Sequence, residues 1–155
     1  MGWLGNIARL PPRFIRLPNE EKRLLLEAAA WLCVAQATIR LLPFRWLAPL
    51  LGAQEGSPSI AVAGFEAADR TDIRHCTSTA IEVASRHLPC RPTCLARAIT
   101  AKAMLGLRGM PSTLYLGVAK HGEAGLRAHA WLAAQGYVLT GGAEADGFDV
   151  ISSFS

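Results

Sequence analysis

Met104-Leu105-Gly106-Leu107-Arg108-Gly109-Met110-Pro111-Ser112-Thr113-Leu114-Tyr115-Leu116-Gly117-Val118 is where the pattern of the chain changes. Upstream, apolar residues recur at helical spacing. Downstream they alternate with period two. Gly109 and Pro111 end a helix expected to begin at Cys94, behind a Thr93 cap, and to reach about Leu107. Leu114, Leu116 and Val118 then alternate with Thr113, Tyr115 and Gly117, the signature of a half-buried strand. Lys120 to Gly125 reads as a polar turn, Leu126 to Ala134 as a second strand, Gln135-Gly136 as a tight turn and Tyr137 to Thr140 as a third strand. Gly141-Gly142 interrupts, and Phe148 to Ile151 reads as a short fourth strand. Helices followed by an antiparallel meander predict an α+β fold.

Working outward towards the N-terminus, residues 1–18 carry Pro11, Pro12 and Pro18 and read as an irregular arm. Asn19 is the expected cap of a long helix from about Glu20 to Leu41, with Glu20 and Glu21 in the first turn where the helix dipole favours them. Leu24, Leu25, Leu26, Ala28, Ala29, Ala30, Trp31, Leu32 and Val34 make it apolar nearly all round. Glu27 and Arg40 bracket only about a dozen uncharged residues, short of the ~20 that span a bilayer. A buried packing helix or a partner surface is therefore expected, with membrane association as the alternative. Cys33 reads as a core residue of this helix. Pro43 opens a second short helix, Phe44 to Leu51. Gly52 to Gly64 is rich in Gly, Ser, Pro and Ala and reads as a linker. A third helix, capped by Asp69 or Thr71, is expected to reach His87, with Ile73, Cys76, Ala80, Val83 and Ala84 at helical spacing. The expected organisation is an arm and apolar helical hairpin over 1–52 and a core over 65–155.

Composition narrows the function. Of 155 residues, 51% are apolar and only 18% charged, which suggests that a partner covers some apolar surface or that one segment is unusually hydrophobic. The net charge of +4 comes with an early cluster of basic residues, read as a solvated face. No aromatic-and-basic interleaving of the single-strand-binding kind occurs, so no nucleic-acid partner is expected. The N-terminal stretch lacks the pattern of a signal peptide, which predicts a cytoplasmic protein with reduced thiols. No phosphate-binding glycine loop or His-Glu-x-x-His is present.

Cys94 and His129 carry the chemistry. Arg91-Pro92-Thr93-Cys94-Leu95-Ala96-Arg97 turns a loop into a helix, and Ala128-His129-Ala130-Trp131 lies on a strand. Helix N-termini favour thiolates, and their unpaired N–H groups can hold an oxyanion. An imidazole can take and return the proton. On position alone Cys94 reads equally as a buried small hydrophobe, and a lone strand histidine reads as structural. The two together read as a catalytic dyad. A third group would hold the ring's tautomer. The strand after His129 offers no carboxylate or amide, so Asp146 or Glu144 would fold back to supply it, with Gln135 as a weaker orienter. The small neighbours of His129 leave room for a substrate chain. Trp131, on the same strand face, and Arg97 are the expected substrate contacts. A rival zinc reading draws on His75, Cys76, His87, Cys90 and Cys94, but no C-x2-C knuckle is present. No metal and no cofactor are expected.

Cys94-Leu95-Ala96-Arg97-Ala98, Met104 to Pro111, Leu114-Tyr115-Leu116-Gly117-Val118 and Ala128-His129-Ala130-Trp131 together resemble the transglutaminase-like cysteine protease of lasso-peptide biosynthesis. Arg40-Leu41-Leu42-Pro43-Phe44-Arg45 and the helix before it resemble that family's N-terminal part, so the resemblance covers most of residues 24–142. It implies a transglutaminase-like or papain-like core, with the catalytic cysteine at a helix N-terminus packed on an antiparallel sheet. It implies a peptidase that removes the leader from a ribosomally made precursor, with Cys94 as nucleophile and His129 as general base and acid. A separate leader-recognition protein and a lasso cyclase are the implied partners, with peripheral membrane contact as a further expectation. The family's acid is expected near the end of the strand after the histidine, where this chain has Thr140, Gly141 and Gly142. A transamidase or amidase using the same dyad, and a non-catalytic scaffold for peptide maturation, are the alternatives.

Overall fold

The computed structural model describes residues 18–47, 49, 54–55, 73–89, 91–120 and 125–155. The long apolar segment forms α1 (Asn19–Leu41), followed by the short α2 (Phe44–Leu47). Asn19 is the first helical residue rather than the cap. Pro18 takes the cap position and contributes no side-chain hydrogen bond. Proline suits a helix entry because its missing N–H would have no partner there. α3 (Ile73–His87) and α4 (Cys94–Gly106) follow, then β2 (Thr113–Lys120), β3 (Leu126–Ala134), β4 (Tyr137–Thr140), the single turn α5 (Gly142–Ala145) and β5 (Asp149–Phe154). The caps expected at Asp69 or Thr71, the arm before Pro18 and Cys90 lie outside the described residues.

Two features correct the expected meander. Gln54–Glu55, inside the expected linker, forms a short β1 that pairs with the end of β5. β5 begins and ends later than expected, and it crosses back to pair with β2 instead of extending beyond β4. The sheet order is therefore β1-β5-β2-β3-β4, with each neighbouring pair antiparallel. The crossing places Phe154 opposite Leu114, and both are buried in the core. Two apolar side chains removed from water on one face favour that register over a solvent-exposed edge strand.

The helices cover one face of the sheet. Ala130, Leu132 and Ala134 of β3 join Ala28 and Leu32 of α1, Ala80, Ile81 and Ala84 of α3, and Ala98, Ala101, Met104 and Leu105 of α4 in one core. α1 thus shares its apolar interior with α3, α4 and β3. α1 is apolar all round in sequence but two-faced in the fold. Ala28, Leu32, Ala35 and Gln36 are buried, whereas Leu26, Val34 and Leu41 are exposed. Cys33 lies on that outer side and is exposed, not a core residue. By length and composition α1 could cross a membrane, yet its inner face is packed into this core. Arg108, past the end of α4, makes two hydrogen bonds to Glu27, at 2.8 and 2.7 Å, and so ties α1 to α4.

Candidate active site

α4 starts where the sequence places it. Thr93 is extended (φ −68°, ψ 162°), and its side-chain oxygen accepts from the Ala96 N–H at 3.2 Å. The Arg97 N–H bonds to the Thr93 carbonyl at 3.1 Å. The cap therefore uses the N–H groups of Ala96 and Arg97, and leaves those of Cys94 and Leu95 for another acceptor. Cys94, the first helical residue, is half-buried and packs against the core. A buried side chain that sequence reasoning missed fixes this start. Gln36 of α1 accepts the Thr93 N–H on Oε1 at 3.0 Å. The signal was available: an amide on the same helical face as Ala28, Leu32 and Ala35 must find a polar partner once buried.

Lys102, further along α4, donates to the Ser112 carbonyl at 2.8 Å and the Phe154 carbonyl at 3.2 Å. Burial lowers its pKa below the ordinary lysine value. These bonds tether the second half of α4 to the start of β2 and the end of β5. Helix rise carries Cys94 about 12 Å back from Lys102. Strand rise carries His129 about 13 Å back from Ala133, the residue opposite the start of β2. The tether fixes Lys102 beside the start of β2 and the end of β5, with Cys94 about two turns away from it along α4.

His129 is 8% exposed. Strand alternation points it and Trp131 away from the face that carries Ala130 and Leu132. Its ring stacks on Trp131 at a centroid distance of 5.9 Å and meets Phe148 at 5.0 Å. Nε2 lies 2.9 Å from the Gly141 carbonyl oxygen. Among the described residues no hydrogen bond joins the ring to the Cys94 thiol. The flanking Ala128 and Ala130 each present a single methyl group, which permits close approach to the β3 backbone from the helix side.

The other expected site residues are placed as follows. Glu144 pairs with Arg127 at 2.9 Å on the surface. Asp146 is an exposed residue at the C-terminal cap of α5. Gln135 accepts from Arg74 at 3.1 Å, at the far end of β3 from His129. The ring's hydrogen bond therefore goes to a backbone carbonyl rather than to any of these side chains. Trp131 is only 2% exposed and stacks on Tyr115 as well as on His129. That burial suits seating the imidazole rather than touching a substrate. Arg97 reaches Glu82 at 3.5 Å with its side chain 37% exposed, so it remains open to solvent at the first turn of α4. Of the zinc candidates, His87 bonds the Val83 carbonyl through Nδ1 at 2.8 Å. No group of three or more metal-ligating side chains occurs among the described residues.

The family model of the Transglutaminase-like superfamily matches residues 38–153. That span includes α4, all of β2 to β4, Cys94 and His129. No curated protein and no solved structure gives a significant match.

Proposed function

The chain belongs to the transglutaminase-like superfamily, and from that premise we propose that it is a cysteine peptidase that removes the leader from a ribosomally synthesised lasso-peptide precursor. The observation that carries the reading is the His129 ring, buried and hydrogen-bonded through Nε2, on a sheet packed by the helix that Cys94 begins. A carbonyl only accepts, so the Nε2 bond assigns the proton to that nitrogen and leaves Nδ1 of the neutral ring as the base.

In the proposed cycle the Cys94 thiol gives its proton to Nδ1, and Sγ attacks the carbonyl carbon of the last leader residue. The N–H groups of Cys94 and Leu95 hold the oxyanion. The C–N bond breaks as the imidazolium returns its proton to the departing core amine, leaving a thioester. Water, deprotonated by the same nitrogen, then releases the leader carboxylate and restores the thiol. Strand alternation turns the His129 ring away from the sheet face that α4 covers, so the cycle requires a rearrangement on substrate binding that brings Nδ1 to Sγ. We assign leader recognition to a separate protein, ring closure to a separate cyclase and the whole to the cytoplasm. The exposed Leu26, Val34, Leu41 and Trp46 on α1 and α2 support a protein partner.

The test mixes purified protein, a candidate leader-binding protein and precursor, and follows the products by mass. Cys94→Ala and His129→Ala should each lower cleavage at least 1000-fold, by loss of nucleophile or base. Normal cleavage by Cys94→Ala sinks the assignment. An isopeptide adduct in place of free leader and core identifies a transamidase instead.

A further inference from the structure

His129 needs an orienting group, and the structure supplies an unusual one. Gly141 has φ +74° and ψ 9°, in the left-handed region. A Cβ built on it would lie 2.8 Å from the Ala130 carbonyl oxygen, 2.9 Å from Nε2 of His129 and 3.1 Å from Cβ of Trp131. Both the backbone angle and the space therefore demand glycine here. This close approach is what brings the Gly141 carbonyl to 2.9 Å from Nε2. Trp131 and Phe148 flank the same ring at 5.9 and 5.0 Å, so its plane is constrained as well as its edge. The nearby carboxylate of Glu144 is committed to Arg127.

We propose that the Gly141 backbone carbonyl is the positioning group of the site, standing where a side-chain carboxylate or amide would stand in a triad. It fixes the Nε2–H tautomer of His129 and keeps Nδ1 as the acceptor nitrogen. The inference rests on His129 being the general base of the proposed reaction. Its chemical consequence is specific. A carbonyl dipole orients the ring but brings no full negative charge to the imidazolium. The cysteine is then activated as its proton moves to a neutral ring, with no carboxylate hydrogen-bonded to that ring among the described residues.

The experiment is 15N-histidine NMR on the substrate-free protein, held at a pH where the ring is neutral, with the His129 signals identified by their loss in His129→Asn. The expected spectrum has a protonated-type Nε2 and an acceptor-type Nδ1, unchanged in Glu144→Gln and Asp146→Asn. An Nδ1–H tautomer, rapid averaging of both tautomers, or a tautomer switch in either carboxylate variant overturns the proposal. Gly141→Ala, if folded, should lose the fixed tautomer, and a folded Gly141→Ala that keeps it also overturns the proposal. If that variant does not fold, the wild-type and carboxylate spectra decide. The readout needs no substrate. A wrong tautomer is therefore distinguishable from a wrong reaction, which the Cys94→Ala cleavage assay reports separately.

Discussion

At the scale of single residues, the imidazole meets two aromatic rings and a backbone carbonyl among the described residues. Gly117 lies opposite His129 in the β2–β3 register. A Cβ there would stand 2.8 Å from the Trp131 ring and 2.9 Å from Cβ of Phe148, the two residues that flank the imidazole. Gly117→Ala must push one of them aside. We expect a loss of about 1–3 kcal/mol in stability from the overpacked site, together with slower precursor cleavage because the ring's seat shifts. Thermal melting and the cleavage rate check both, and an unchanged melt would show that the rings have room to give. Cys94 and its Thr93 cap were legible in the sequence because capping is local and written in side chains. The orienter was not, because a backbone carbonyl leaves no mark on residue type. Of the two carboxylates the sequence offers, Glu144 pairs with Arg127 and Asp146 is exposed.

At the scale of elements, the bounds of α1 and α4 and the end of α3 were legible to about a residue, while the end of α2 and the partner of β5 were not. Local signals set where a strand can form, but the edge it joins depends on a distant apolar match, here Phe154 with Leu114. The inner face of α1 was also hidden, because a helix apolar on every side has no period from which to choose. Its polar residues reveal the choice. Gln36 faces the α4 cap, and Glu27 faces Arg108. The hydrogen bond from Arg108 holds the Glu27 carboxyl below the ordinary carboxylate range, an effect that partial burial opposes and the charge of Arg108 reinforces. A carboxylate with a depressed folded pKa stabilises the fold above its unfolded pKa, and this contribution is lost as pH falls through the folded value. Glu27→Gln should therefore cost on the order of 1 kcal/mol at neutral pH and flatten the acid side of the stability profile. Denaturant melts across the carboxylate range read this directly. An acid limb as steep as wild type would place the α1–α4 tether elsewhere.

At the scale of the whole molecule, the family match and the physical core do not share a boundary. The match begins at residue 38, inside α1. Ala28 and Leu32 precede it, yet both are fully buried in the core shared with α3, α4 and β3. Gln36, which accepts the N–H of the residue before Cys94, precedes it as well. The part of α1 that precedes residue 38 is thus part of what holds the candidate nucleophile in place. Losing Leu32 alone by Leu32→Ala should cost about 2–5 kcal/mol, against a net stability of about 5–15 kcal/mol for a domain of this size. Cutting the chain to residues 38–155 removes Leu32 together with Ala28, Gln36 and the Glu27 carboxylate. The shortened chain should lose cooperative thermal unfolding and bind a hydrophobic dye through the uncovered faces of α3 and α4. The Leu32→Ala variant should keep a cooperative but lowered transition. A cooperative melt near the full-length midpoint for residues 38–155 would show that α1 is an appendage rather than a wall of the core. The thiol environment tests the same point independently. If the inner face of α1 seats the α4 cap through Gln36, Gln36→Ala in the full chain should change the alkylation rate of Cys94 while leaving most of the melt intact.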